Sequence, residues 1–210
     1  MFTSRKLTNT VWNLLAINEE FLSVQGEGKN TGVLQYFVRT QGCAVGCYFC
    51  DTKYTWRPQD AITKEADIVK RAEQSGADWV CITGGEPLEQ DLSQLVIMLK
   101  HRGFFVQIET SGMYYHPIVK KMDWVCCSPK MLYSKMDFKK EILEDTHEVK
   151  CVVTNEKDLK YYMDYFKDYD GVKTLQPVDS DIGKISKMIL KYKLTDWNIM
   201  LQQHKVMKLR

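Results

Sequence analysis

Apolar, β-rich runs alternate with amphipathic helical patterns along most of this chain, and that alternation restricts it to an α/β architecture. Strand patterns cover Val33 to Arg39, Trp79 to Thr83, Phe104 to Glu109, Trp124 to Cys127, Glu148 to Val153, Val172 to Leu175 and Trp197 to Leu201. Thr63 to Ser75 and Asp91 to Lys100 carry apolar residues at helical spacing, each starting beside a capping-type residue. Two further helices are marked by Leu159, Tyr162, Met163 and Phe166, and by Ile182, Ile185, Met188 and Ile189. Such repetition predicts a parallel sheet with right-handed crossovers, arranged as an incomplete barrel of about six or seven units. Ligands of that architecture gather at the carboxyl ends of the strands, where the βα loops lie.

The 210 residues are expected to form one domain, with residues 1–32 as an irregular or short-stranded extension and 33–210 as the core. Within the extension, Ile17 to Val24 has strand character and enters the glycine-rich turn Gln25-Gly26-Glu27-Gly28. Hydrophobic residues make up 44% of the chain, which excludes a disordered class. A net charge of +2 provides no extended basic field, so neither nucleic acid nor an anionic membrane is expected as a direct partner. No run approaches the roughly 20 apolar residues of a membrane span, and Met1 to Glu20 lacks a signal-peptide pattern. A cytoplasmic location is the expectation.

Three of the seven cysteines fall within Gly42-Cys43-Ala44-Val45-Gly46-Cys47-Tyr48-Phe49-Cys50, directly after the first core strand. Iron in a cubane cluster takes thiolate ligands, and adjacent glycines let the backbone wrap closely around it. The C-x3-C-x2-C spacing supplies three ligands and leaves one iron of a [4Fe-4S] cluster open. Zinc, or packing as small hydrophobes, is the competing reading. A closed zinc site needs a fourth ligand, and His101, His116, His147 and His204 show no paired spacing. Cys81, Cys126, Cys127 and Cys151 fall inside strand patterns and are expected as core or barrel lining.

The triplet, with Phe49 before its last cysteine, resembles the cluster motif of the radical S-adenosylmethionine superfamily. A second match follows the next strand: Thr83-Gly84-Gly85-Glu86-Pro87 is similar to the superfamily's GGEP turn, which receives the methionine amino group. By itself this segment would be a plain βα turn with proline opening the helix region. The resemblance implies a partial TIM-type barrel holding a [4Fe-4S] cluster and S-adenosyl-L-methionine, whose reductive cleavage gives a 5′-deoxyadenosyl radical.

Across nearly the whole chain the sequence is similar to the 7-carboxy-7-deazaguanine synthase family. The resemblance is carried by Val24-Gln25-Gly26-Glu27-Gly28, Phe37-Val38-Arg39, Cys50-Asp51-Thr52, the GGEP turn and Glu109-Thr110-Ser111-Gly112. Ser128-Pro129-Lys130, Gln176-Pro177 and Gln202-Gln203-His204-Lys205 complete it. It implies conversion of 6-carboxytetrahydropterin to 7-carboxy-7-deazaguanine, with hydrogen abstraction at the pterin C6 position, ring contraction, hydrogen return and loss of ammonia. The pathway implied is queuosine or other 7-deazapurine synthesis.

The same resemblance implies the residue roles. Gln25, Gly26 and Arg39 would hold the substrate carboxylate, Glu27 and His204 the pterin ring, with Val24, Thr83 and Gln202 also at the substrate. Arginine suits its task, because its planar fork pairs with a carboxylate through two parallel hydrogen bonds. Thr52 would ligate Mg2+. Around the cofactor it implies Phe49, Asp51, Gly85, Glu86 and Pro129, then Glu109 and Ser128 near the ribose, Lys130 near the carboxylate, and Gln176 and Pro177 near the adenine. A flavodoxin- or ferredoxin-like electron donor and a homodimer are implied as partners.

Two departures stand out. The stretch from Trp56 to Thr83 is short for the family, and the basic segment Lys130 to Lys140 matches nothing assignable; at this composition it would be an ordinary solvated loop. An activating protein for a glycyl-radical partner would use the same three cysteines, but calls for neither QGEG, Asp51-Thr52 nor Q-x-H-K. A non-catalytic metal-binding module is the remaining rival.

Overall fold

The computed structural model describes residues 14–57, 62–178 and 182–209, so the first part of the expected N-terminal extension lies outside the described residues. Nine strands form one open sheet. Seven of them run parallel in the order β2 (Leu34–Thr40), β4 (Trp79–Gly84), β5 (Phe105–Thr110), β6 (Trp124–Cys127), β7 (Glu148–Val153), β8 (Val172–Pro177) and β9 (Trp197–Ile199). Strand β1 (Leu14–Val24) adds antiparallel to β2, and β3 (Ile62–Lys64) adds antiparallel to β1. The expected α/β class and incomplete barrel are therefore present, extended at one edge by two antiparallel strands.

Helices α1 (Glu65–Ser75) and α2 (Ser93–His101) cover the outer face of β2, β4 and β5, and α3 (Glu156–Tyr165) and α4 (Ile182–Tyr192) cover β7 to β9. Both α1 and α2 differ from expectation at their starts. Residues 62–64 pair with Leu14, Leu15 and Ala16, so α1 begins only at Glu65. Neither N-cap residue, Lys64 or Leu92, offers a side-chain cap. Instead Glu65 Oε1 of α1 accepts the Leu95 amide of α2 at 3.2 Å, so one helix satisfies an orphan donor of its neighbour. The crossovers into β6 and β7 contain only 3-10 turns, Pro117–Lys121 and Lys140–Glu144, rather than the α-helices a strict repeat would supply. Pro117 opens the first of these turns.

Alternation along each strand sorts side chains by chemistry. Val80, Ile82, Val106, Ile108, Val125, Val149 and Val153 point outward into the helix-covered cores. Their neighbours Gln35, Gln107, Glu148, Lys150, Thr174 and Gln176 are buried on the other face. The four strand cysteines are fully buried, as expected, with Cys127 and Cys151 in the outer cores.

The turn between β1 and β2 closes the amino end of the barrel. Lys29 N donates to Glu148 Oε2 at 2.8 Å, and Asn30 Nδ2 donates to Gln107 Oε1 at 2.7 Å. Gly28 has φ +72, and a Cβ there would lie 2.7 Å from Glu148 Oε2, so this turn requires glycine. A short helix α5 (Gln203–Met207) follows β9 and returns to that turn, with Gln203 N donating to Gly26 O at 2.9 Å. This helix falls beyond the last strand pattern and had no periodic signal of its own.

The outer core carries most of the fold's apolar burial. Replacing fully buried Leu95 by Ala is expected to cost about 2–5 kcal/mol in urea unfolding. The same change at Leu190, 77% exposed, should stay within about 0.5 kcal/mol.

Candidate active site

A cleft of about 300 Å3 opens among the carboxyl ends of the parallel strands. All the expected site residues line it except Pro129 and Pro177. Those two are buried away from it because Ser128 and Gln176 point inward and the next residue on an extended chain faces the opposite side. Pro129 instead accepts the Tyr162 hydroxyl on its carbonyl at 3.1 Å, beneath α3.

One wall is built from two loops held together through their backbones. Gly85 N donates to Thr40 O at 3.1 Å, and Glu86 N donates to Gly42 O at 2.9 Å. A Cβ on Gly85 would sit 2.0 Å from Gly42 O and 2.9 Å from the Cys43 Cβ, so only glycine allows this approach. Gly42 and Gly46 take φ +99 and +69, letting the chain double back between the cysteines. Ala44 N is anchored on Glu89 Oε1 at 2.6 Å.

Cys43, Cys47 and Cys50 all open onto the cleft. Burial pushes the Cys43 thiol up to about 11, against the Val45 and Gly46 amides that favour the thiolate, and raises Cys47 as well. A metal bound here would displace a proton at each. Phe49 stands edge-on to Tyr133 with ring centroids 4.8 Å apart. Segment 130–140 is consequently more than a solvated loop: Met136 and Phe138 pack beside Val45 and Cys47.

Glu86 is buried and turned toward β5. Thr110 Oγ1 donates to its Oε1 at 2.7 Å and Ser111 N to its Oε2 at 2.8 Å, with the Ser111 hydroxyl adding a further bond. Burial raises its pKa in spite of these donors. This carboxylate therefore joins the turn after β4 to the turn after β5.

The floor is a buried ion cluster centred on Lys150, a residue absent from the sequence-level candidates. Lys150 Nζ lies 2.5 Å from Glu27 Oε2 and 2.8 Å from Glu109 Oε2. Gln202 Nε2 donates to Glu27 Oε1 at 2.7 Å, and Gln107 Nε2 to Glu109 Oε1 at 2.8 Å. Burial would raise Glu27, but the charge and hydrogen bond of Lys150, with Gln202 and His204, bring it down to about 2. Burial likewise works against the Lys150 ammonium, yet Glu109 and Glu27 lift it well above its ordinary value. The overlooked signal was a lysine inside an apolar strand pattern, on the face opposite Val149 and Cys151.

At the rim, Arg39 Nε binds Glu19 Oε1 at 2.8 Å, an oxygen that also accepts the Tyr54 hydroxyl at 2.9 Å. Lys130 Nζ donates to Ser128 O at 2.6 Å and also contacts the Ser128 hydroxyl. Helix α5 brings His204 against Gly26, where a Cβ would lie 2.5 Å from His204 Nδ1. Lys205 Nζ pairs with Asp51 Oδ2 at 3.0 Å, tying the carboxyl-terminal helix to the cysteine loop. Thr52 Oγ1 is 3.5 Å from Cys50 Sγ and makes no helix cap.

The lining fits an adenosyl cofactor beside a cluster. Gln176 Oε1 is a buried acceptor with no hydrogen-bond partner among the described residues, an arrangement that an amino group of a bound heterocycle would satisfy. Among the described residues, no group of three or more His, Cys, Asp or Glu side chains forms a ready ion site.

An open parallel barrel with a three-cysteine loop at its first carboxyl end, stitched to a Gly-Gly-Glu-Pro turn at the second, defines a radical S-adenosylmethionine domain. Residues 37–169 match the Radical SAM superfamily. The chain is 33% identical to a 7-carboxy-7-deazaguanine synthase of Flavobacterium psychrophilum, covering 93% of each chain. It is also 33% identical to the Escherichia coli protein of that name, over 92% of this chain and 98% of the other. The crystal structure of QueE from Escherichia coli superposes with a TM-score of 0.81 at 29% identity, covering 93% of this chain and 98% of that one. The chain belongs to the 7-carboxy-7-deazaguanine synthase family, and that membership implies a [4Fe-4S] cluster and S-adenosylmethionine.

Two outcomes follow. Gly85→Ala should push the cysteine loop outward and lower iron content after anaerobic reconstitution, measured per chain, while helical circular dichroism is retained. Glu27 has a folded-state value near 2, below its ordinary 4.5, so its ionisation favours the folded state above about pH 4.5. That contribution is lost as the pH falls toward 2, and Glu27→Gln should flatten the acid limb of the stability profile over that window.

Proposed function

We propose that this chain converts 6-carboxytetrahydropterin to 7-carboxy-7-deazaguanine with release of ammonia. The observation that carries the reading is the convergence, in one cleft, of the three-cysteine loop, the Gly84-Gly85-Glu86 turn and the Glu27–Lys150–Glu109 floor. Relatives carrying the synthase name match over more than nine-tenths of the chain, which does not favour an activating protein for a glycyl-radical partner.

When bound through Cys43, Cys47 and Cys50, the cluster together with S-adenosylmethionine supplies one-electron cleavage chemistry; the protein's task is to bind, orient and exclude water. Arg39 has its Nε committed to Glu19, so the guanidinium is fixed and its terminal nitrogens can pair with the substrate carboxylate alongside Gln25 and Gly26. Glu27, kept ionised by Lys150, accepts hydrogen bonds from the pterin ring, with His204, Gln202, Val24 and Thr83 completing that wall. Glu109 and Ser128 face the ribose, Lys130 the cofactor carboxylate, and Gln176 the adenine amino group. Phe49, Asp51, Gly85 and Glu86 frame the methionine end. Thr52 contributes a hydroxyl oxygen to Mg2+, a cation that takes its other ligands from substrate and water.

The same reading includes a flavodoxin- or ferredoxin-like electron donor, a cytoplasmic setting and a single domain acting in a homodimer. Exposed Leu201, Val206, Met207 and Leu209 near the carboxyl end supply apolar surface of the kind a dimer would cover. No described helix is long and apolar enough to cross a membrane.

Anaerobically reconstituted enzyme, given reductant and S-adenosylmethionine, should yield 7-carboxy-7-deazaguanine and ammonia when 6-carboxytetrahydropterin is added. No product from the pterin would overturn the reading. Arg39→Ala should lower kcat by about a hundredfold as well as raise KM, because a clamp that also aligns the reacting hydrogen governs the chemical step. Undiminished turnover at saturating pterin would count against that role.

A further inference from the structure

Lys150 holds together two carboxylates that the functional reading assigns to different ligands, Glu27 to the pterin and Glu109 to the adenosyl ribose. Its side chain is only 6% exposed, and its Nζ contacts Glu27 Oε2 and Glu109 Oε2 at 2.5 and 2.8 Å. The other oxygen of each carboxylate is held as well, by Gln202 Nε2 and Gln107 Nε2 respectively. Each carboxylate is therefore fixed on both oxygens, and the ammonium is their shared bond. Glu27 enters from the amino-terminal turn and Glu109 from the end of β5, so no continuous backbone sets their separation.

We infer that Lys150 is a positioning residue that sets the distance between substrate and adenosyl group by holding Glu27 and Glu109 on one ammonium. The inference rests on the functional reading above. Hydrogen transfer between two separately bound molecules depends on their spacing, and a displacement of about 1 Å can cost about a hundredfold in rate. A purely structural cation would differ in its consequences. Its loss would depress cofactor cleavage and product formation together, whereas loss of a spacer separates them, because each ligand still binds but the reacting atoms no longer meet.

The test uses the reconstituted holoenzyme and Lys150→Met, which keeps a long unbranched side chain and removes the charge. Calorimetric titration measures binding of S-adenosylmethionine and of 6-carboxytetrahydropterin separately. Turnover is read as 7-carboxy-7-deazaguanine formed per 5′-deoxyadenosine at saturating ligands. The expected result is S-adenosylmethionine affinity within about threefold of wild type, with the product ratio lowered at least about tenfold. An unchanged ratio, with or without a parallel fall in both rates, overturns the inference.

Removing the ammonium leaves two buried carboxylates uncompensated, which can prevent folding. The double variant Lys150→Met with Glu109→Gln restores the original charge sum and is compared with Glu109→Gln alone. A lower product ratio in the double variant supports the spacer role, and an equal ratio overturns it. The two levels of interpretation fail differently. If wild-type enzyme makes no pterin-dependent product, the functional reading fails; if wild type couples cleavage to product and the lysine variants couple equally well, only the role of Lys150 fails.

Discussion

A parallel sheet whose inner face is polar can persist only where each buried charge finds a partner, and Lys150 meets that condition for this barrel. Alternation along β7 puts Val149, Cys151 and Val153 into the outer core, and so forces Glu148, Lys150 and Val152 inward. An isolated ammonium there would carry a large desolvation cost. Glu27 and Glu109 offset it, and Gln202 and Gln107 in turn hold those carboxylates. The network extends to the amino end, where Gln107 and Glu148 receive Asn30 and the Lys29 amide. The turn after β1 thereby closes the amino end of the barrel, with Gln25, Gly26 and Gly28 buried and Lys29 and Gly32 exposed.

The opposite end depends on backbone contact more than on charge. Gly85 approaches the Gly42 carbonyl closely, and two backbone hydrogen bonds join the turn after β4 to the cysteine loop. Glu86 continues the connection to Thr110 and Ser111. Three successive strand ends are thus linked around the cleft that the three cysteines line. Helix α5 closes the side, with Gln203 on Gly26 and Lys205 on Asp51. These contacts tie the strand ends, the cysteine loop and α5 together, which suits chemistry in which binding must fix the positions of two molecules at once.

Much of this was legible beforehand because the relevant signals are local. The strand patterns from Trp124 to Cys127 and from Glu148 to Val153 coincide with β6 and β7, since a buried strand must be apolar on one face at period two. The cysteine loop stood out by its C-x3-C-x2-C spacing, and the Gly84-Gly85 turn by its resemblance to the GGEP turn of the radical S-adenosylmethionine superfamily. Less was visible where a role depends on a distant partner. Lys150, Glu65 and Glu19 carry no local mark of their bonds to Glu27 and Glu109, to the Leu95 amide and to Arg39. Pro129 and Pro177 follow Ser128 and Gln176 directly, and strand alternation sets them on the face away from the cleft.

By itself, the sequence determined the class of fold, the place of the parallel strands along the chain and the chemistry of the three-thiol loop. Hydrophobic periodicity and residue spacing act over a few residues and do not need the rest of the chain. Only the tertiary structure decided which charges neutralise one another, that the turn after β1 closes the amino end of the barrel, and that α5 completes the wall. Those outcomes depend on the burial of groups far apart in the chain, and burial makes a hydrogen bond or ion pair obligatory only after the sheet has brought its partners together.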